Sequence, residues 1–267
     1  MAAKGMRRAL KTTAQLASAA VARGRAKTER APRFCGAYDS REMALAALPK
    51  SKQAGYDDES VADVSFVQMC DRMSWDYPLI FWLERLLGDD NVVIDAGGHM
   101  GTKFIAFSDV LDLRKVAWTV YDLPGIVRAA RDRQIAGDVP KEIKFVSDTN
   151  ALPKADIVIA SGLLQYLDVP FGAFVDALPQ RPKHILLNKV ALRDGPGIFT
   201  VERIGRARVP YQIRCRGDWM NEVSKTGYNI VDQWEIPDLG HVIATHPWHG
   251  RSESWGFLLT RSDERGD

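Results

Sequence analysis

Along residues 77–87 the apolar positions run almost unbroken, and Gly88, Asp89 and Asp90 follow as turn residues. The pattern predicts a helix that is apolar all round and buried against a sheet. Residues 61–73 read as another helix, and 34–63 as short helices and loops. From Asn91 the period changes. Short apolar runs between turn residues predict buried strands at 91–95, 116–121, 143–146, 155–160 and 184–190. Helical spacing fills 102–113, 123–133 and 171–178, with Pro124 in a first turn, where its missing N–H does no harm. Strand and helix alternate across short turns, the pattern of a parallel sheet covered on both faces. Residues 219–226 then read as a helix, and 228–236 and 255–260 as strands, adding an antiparallel strand at the C-terminal end.

The fold class expected is therefore α/β: a doubly wound, mostly parallel sheet with an antiparallel C-terminal strand and a helical N-terminal extension. Three segments follow from it. Residues 1–33 form a basic arm, flexible or peripheral; 34–90 form a helical extension packed on the core; 91–262 form the core, with an insertion at about 191–217.

Composition changes this picture little. The 267 residues are 46% hydrophobic with a formal net charge of +2, which suits a normal core and gives no electrostatic case for nucleic acid. Cys35, Cys70 and Cys215 are far apart and make no metal-binding spacing, so no metal is expected, and so sparse a set fits a reducing cytoplasm. No apolar run reaches the ~18 residues of a membrane span. The arm is an exception to the even charge: Lys4, Arg7, Arg8, Lys11, Arg23, Arg25, Lys27 and Arg30 are offset by Glu29 alone, around an alanine-rich helical stretch at 10–22. It fits a solvated arm, a transit peptide, or a helix in weak contact with an anionic membrane surface.

Ligands of such sheets bind at the carboxyl ends of the strands, so the residues that follow each strand carry the chemistry. The first strand is followed by Asp95-Ala96-Gly97-Gly98-His99-Met100-Gly101, the second by Asp122 and Leu123, the third by Asp148, the fourth by Ser161 and Tyr166, the fifth by Lys189. A dinucleotide would lay its pyrophosphate on this first turn, where Asp95 would repel it. S-adenosyl-L-methionine fits better. It has a sulfonium, an amino group and a ribose diol, and no phosphate. Gly97 and Gly101 allow the backbone close approach; Asp122 would accept the ribose hydroxyls, and Asp148 would face the adenine amino group.

On these residues the chain resembles the class I S-adenosylmethionine-dependent methyltransferases, whose first motif is D/E-x-G-x-G-x-G. Asp95, Gly97 and Gly101 match it, and His99 stands at the middle glycine. More narrowly it is similar to a family of bacterial methyltransferases marked by a GGHxG loop. That resemblance rests also on GYDD at 55–58, DYPLIFWLE at 76–84, SGLLQYL at 161–167 and VPYQI at 209–213, and it covers about residues 34–260. It implies a Rossmann-like methyltransferase domain that binds the cofactor through Asp95, Gly97, Gly98, His99, Gly101, Asp122, Leu123, Asp148 and Ser161. The YDLP turn at 121–124 is similar to the ribose-binding turn of small-molecule O-methyltransferases, but their histidine base motif after the fourth strand is replaced here by Leu-Leu-Gln-Tyr.

The acceptor expected is an oxygen of a small molecule or glycan intermediate. Tyr166, His99 and Lys189 are the catalytic candidates, with His246 and His249 behind them. The arginines of the insertion, Arg193, Arg203, Arg206, Arg208, Arg214 and Arg216, read either as a grip on an acceptor phosphate or carboxylate or as a solvated face. A nicotinamide-dependent oxidoreductase and a non-catalytic cofactor-binding relative are the alternatives.

Overall fold

The computed structural model describes residues 2–48, 66–88, 91–205 and 207–262. GYDD at 55–58, the start of the helix expected at 61–73, Asp89, Asp90 and Arg206 lie outside them.

Seven strands form the main sheet: β2 (Val92–Ala96), β3 (Ala117–Tyr121), β4 (Lys144–Val146), β5 (Ile157–Ser161), β6 (His184–Arg193), β9 (Tyr228–Glu235) and β10 (Glu253–Arg261). Their order is β4-β3-β2-β5-β6-β10-β9. All neighbours are parallel except β10, which runs antiparallel to β6 and β9. The order reverses between β2 and β5, the switch point of a doubly wound sheet. The expected antiparallel C-terminal strand is present.

The helices are α1 (Ala2–Arg25), α2 (Arg41–Ala46), α3 (Phe66–Met69), α4 (Tyr77–Leu86), α5 (Thr102–Phe107), α6 (Pro124–Ala136), α7 (Phe171–Asp176) and α8 (Arg216–Lys225). Both sheet faces are covered. One core gathers Leu79, Leu83, Phe107, Trp118 and Ile126; the other gathers Phe171, Val175, Trp219 and Phe257. The central strands are buried on both sides, which explains why they read as continuous apolar runs.

Three expectations are corrected. The helix expected at 102–113 stops at Phe107, because Arg72 takes the Ala106 carbonyl (3.1 Å) and the Val110 N–H turns to the Phe107 carbonyl (3.0 Å). The segment read as helical from residue 34 begins with a strand, β1 (Phe34–Tyr38). The segment at 191–217 is a long hairpin, β7 (Ile198–Ile204) and β8 (Ala207–Cys215), and β1 pairs with β7 at its outer edge. β8 joins the carboxyl end of β6 at Leu192 and Arg193, so this small sheet stands at the end of the main sheet where ligands bind. α1 is helical as expected. Arg208 holds the chain beyond it by the carbonyls of Ala26 (2.6 Å) and Thr28 (3.1 Å), and Arg23 lies over Trp248. Among the described residues, no helix is long and apolar enough to cross a membrane.

β9 and β10 brace the site from behind. The Trp234 indole donates to Asn188 Oδ1 (3.2 Å), and Asn188 Nδ2 donates to the Trp75 carbonyl (2.9 Å). A Cβ on Gly256 would overlap the Trp234 indole. Gly256→Ala is therefore expected to displace Trp234, break its bond to Asn188 and destabilise the fold by about 1–3 kcal/mol, measured by urea unfolding.

Candidate functional site

The turn after β2 has an unusual backbone. Gly97 and Gly101 have φ of 68° and 77°, and His99 between them has φ of 55°. His99 thus takes the left-handed conformation that the glycine of the motif would supply. Histidine tolerates this region better than most residues. Among the described residues, the non-glycine residues with positive φ are His99 and Lys189. Lys189 (φ 60°) lies within β6, where the register against β10 shifts between Trp255 and Phe257. Such strain gathers at functional sites.

Beneath the turn lies a cavity of about 380 Å³. From β2 and its turn it takes Asp95, Gly97 and Gly98; from α5, Thr102 and Lys103; from β5 and β6, Ser161 and Lys189. Met73 and Trp75 close one side, and Arg33 another. Asp95 is 1% exposed, and neither of its carboxylate oxygens has a hydrogen-bond partner. Burial pushes its pKa up to about 7; the Lys103 ammonium opposes this, Asp122 adds to it, and the Trp118 indole opposes it without meeting hydrogen-bond geometry. Gly98 packs against this group so closely that a Cβ would overlap the Asp95 carboxyl carbon. The Ser161 hydroxyl is also buried without a partner.

Lys103 donates to Asp76 Oδ1 at 2.6 Å, a pair buried on both sides, and the Met73 N–H donates to Asp76 Oδ2 (3.0 Å). Lys189 lies over the Trp75 ring at 5.0 Å, and its pKa is lowered to about 8, first by burial and then by Lys103, with Asp76 opposing.

Other expected residues stand around this cavity without lining it. Asp122 accepts the His99 N–H (2.8 Å) and the Leu123 N–H (2.7 Å), tying the glycine turn to the end of β3. Leu123 is exposed. Asp148 is exposed and accepts from the Asn150 N–H (2.9 Å), capping a short turn. Tyr166 donates to Glu202 Oε2 at 2.5 Å, and the other Glu202 oxygen holds Arg33 (2.8 Å). Tyr166 thus reaches the cavity through Glu202 and Arg33. Glu202 is buried and its pKa raised by burial, against the pull of Tyr166 and Arg33. His246 and His249 sit on a turn near Trp248, and His184 bonds Thr260 (2.9 Å) at the opposite end of β6. Of the arginines, Arg193 holds the His249 carbonyl (2.9 Å), Arg208 the chain after α1, and Arg216 Glu253; they brace the structure rather than face this cavity.

Sequence reading missed Lys103, Asp76, Trp75 and Arg33. Asp76 opens the DYPLIFWLE stretch with Trp75 just before it, and Lys103 lies two residues past Gly101, but the Lys103–Asp76 pair joins positions 27 apart, which no local pattern reveals. Among the described residues, no group of three or more His, Cys, Asp or Glu could hold a metal ion.

The Asp95 carboxyl gives a pH signature. Its folded pKa, about 7, lies above the ordinary 3.8. The group therefore costs the fold nothing below about pH 4 and destabilises it progressively as pH rises toward 7. Asp95→Asn removes that charge. The variant is expected to gain stability over the parent between about pH 4 and about pH 8, on the order of 3 kcal/mol, read from urea melts of ligand-free protein at both ends. A gap independent of pH would mean that Asp95 titrates normally.

No family model and no curated protein matches the chain. Among solved structures it is similar to the Burkholderia thailandensis 1,6-didemethyltoxoflavin-N1-methyltransferase with bound 1,6-didemethyltoxoflavin and S-adenosylhomocysteine: 18% identity over 81% of this chain and 93% of that one, TM-score 0.50. It is also similar to the glycopeptide N-methyltransferase MtfA (15% identity, 73% of this chain, 98% of that one, TM-score 0.49). A third is the mitomycin 7-O-methyltransferase MmcR (12%, 83% and 60%, TM-score 0.46). At such identity the first of these establishes the fold: a Rossmann-like sheet of the methyltransferase type, as the sequence led one to expect.

Proposed function

We propose that the chain is an S-adenosyl-L-methionine-dependent methyltransferase of the GGHxG type, acting on an oxygen of a small molecule or glycan intermediate. The observation that carries this reading is Asp95, a buried carboxylate with no partner of its own, opening onto a cavity beside a left-handed turn. A buried acid left unsatisfied calls for a cationic or hydrogen-donating ligand. The same acid would repel a pyrophosphate, which speaks against a nicotinamide oxidoreductase. The similar Burkholderia enzyme holds S-adenosylhomocysteine, which supports the choice of cofactor.

In this reading Asp95 would take the amino group of the cofactor, and the backbone of Gly97, Gly98 and Gly101 would lie along it. Ser161 and His99 would border its amino-acid end. Asp122 would hold the ribose, and Leu123 and Asp148 the adenine. When bound, the cofactor supplies a methyl on a sulfonium, an electrophile for an attacking oxygen. Lys189 is the residue best suited to move a proton. It lines the cavity, and with a pKa of about 8 its Nζ is partly neutral at working pH. Tyr166 would position the acceptor side through Glu202 and Arg33. The bend in β6 that strains Lys189 sets the direction of its side chain.

Asp122→Ala is expected to weaken S-adenosylhomocysteine binding at least about tenfold by calorimetry, with a melting curve to confirm the fold, since Asp122 also ties the turn. Unchanged affinity would remove the ribose assignment. Lys189→Met is expected to cut methyl transfer about 10²-fold or more while binding stays near parental, followed as S-adenosylhomocysteine released with a pool of hydroxylated acceptors.

A further inference from the structure

A second cavity, of about 600 Å³, shares no lining residue with the first. It lies on the other face of the β7–β8 hairpin. Along β8, Tyr211 and Ile213 pack with Phe34 and Ile198, while Gln212 and Arg214 alternate to the opposite side. There they meet Phe199 of β7, Arg41 of α2, and Asp218 and Glu222 of α8.

Arg214 is the anomaly. Its side chain is buried at 6% exposed. Nη2 donates to the Leu164 carbonyl (2.8 Å), while Nη1 is buried and has no partner. Among the described residues no carboxylate stands within ion-pair distance of it. The acid that most favours its charge, Glu222, spends one oxygen on the Phe171 N–H (2.6 Å). Burial accordingly lowers the guanidinium to about 10. Arg41, in the same wall, has a buried Nε with no partner. A guanidinium offers five donors in a fixed fork, and burying it unpaired costs several kcal/mol. Two incompletely satisfied guanidinium groups facing one space fit an anion's oxygens.

Other charges narrow the ligand. Glu42, Asp168, Asp218 and Glu222 also line the cavity, with Lys225 beside them. These acids repel a polyanion and accept from hydroxyl or ammonium groups. We propose that this cavity binds a small polar molecule with a single carboxylate or phosphate seated on Arg214 and Arg41, its hydroxyl or ammonium groups turned toward the acids. Sugar acids and amino-sugar phosphates have this chemistry. The site is separate from the Asp95 cavity and stands whether or not the methyltransferase reading does.

The test titrates the full chain by calorimetry with glucuronate and with glucosamine 6-phosphate, using glucose and glucosamine as counterparts without the anion. At least one anionic probe is expected to bind, its counterpart not, and Arg214→Met and Arg41→Met are each expected to weaken it about tenfold, or about 1.4 kcal/mol. Binding by one probe and not the other tells carboxylate from phosphate. If Arg214→Met does not fold, Arg41→Met decides, because Arg41 leaves the Arg214–Leu164 bond intact. No binding of either anionic probe, equal binding of the counterparts, or undiminished binding to a folded variant overturns the proposal. Lys189→Met, which alters the lining of the first cavity, is expected to bind the probe as the parent does; loss there in a folded variant would assign the probe to the first cavity and overturn the second site.

Discussion

Between β2 and β5 the parallel sheet reverses its order, and Asp95 stands beside that gap, paired along the backbone with Val120 on one side and Ile159 on the other. Its backbone is satisfied by two strands and its side chain by nothing. A charge in that position is tolerated only if something supplies a counterpart or a proton. The surrounding geometry answers to this. Gly98 has no Cβ because the carboxyl occupies that space, the turn passes through left-handed conformations at Gly97, His99 and Gly101, and Asp122 clamps the turn from β3.

The hairpin β7–β8 does not line the Asp95 cavity but anchors Arg33, which does. Its inner face carries Glu202, which joins Arg33, just ahead of β1, to Tyr166, just beyond β5. Three remote segments meet at one buried carboxylate. Both nitrogen contacts of Arg33 go to one Glu202 oxygen and the Tyr166 hydroxyl to the other, so this acid, unlike Asp95, is fully engaged. The contrast separates an acid that ties three segments together from an acid left without a side-chain partner.

The parallel core was legible because its strands are buried on both faces and have no polar alternation to confuse the reading. The acids after successive strands stand where topology puts the carboxyl ends of the parallel strands, on one rim, and of them Asp95 lines the cavity. β1 was not legible. Gly36 and Ala37 interrupt its apolar character, and its register shifts between Cys35 and Tyr38. Nor were the partners of Lys103 and Arg33, since an ion pair between positions far apart leaves no periodic trace. The arginines of the insertion could not be told apart by composition. A guanidinium donates to carbonyl oxygens as well as to anions, and Arg193 and Arg208 serve backbone carbonyls.

The charges of the first cavity explain why both perturbed groups are needed. Asp76 and Lys103 neutralise each other at 2.6 Å. Arg33 is held by Glu202 and Asp71 is exposed, which leaves Asp95 and Lys189, of opposite sign, on strands with β5 between them. Burial moves each toward neutrality, the acid up to about 7 and the amine down to about 8. Ligand-free, each is held near the point where its charge is lost. A zwitterion reverses both shifts: an ammonium favours the ionised Asp95, and a carboxylate favours the charged Lys189. Ligand-free, Lys189 thus stands near the balance of its charged and neutral forms, and what a ligand sets beside its Nζ decides between them.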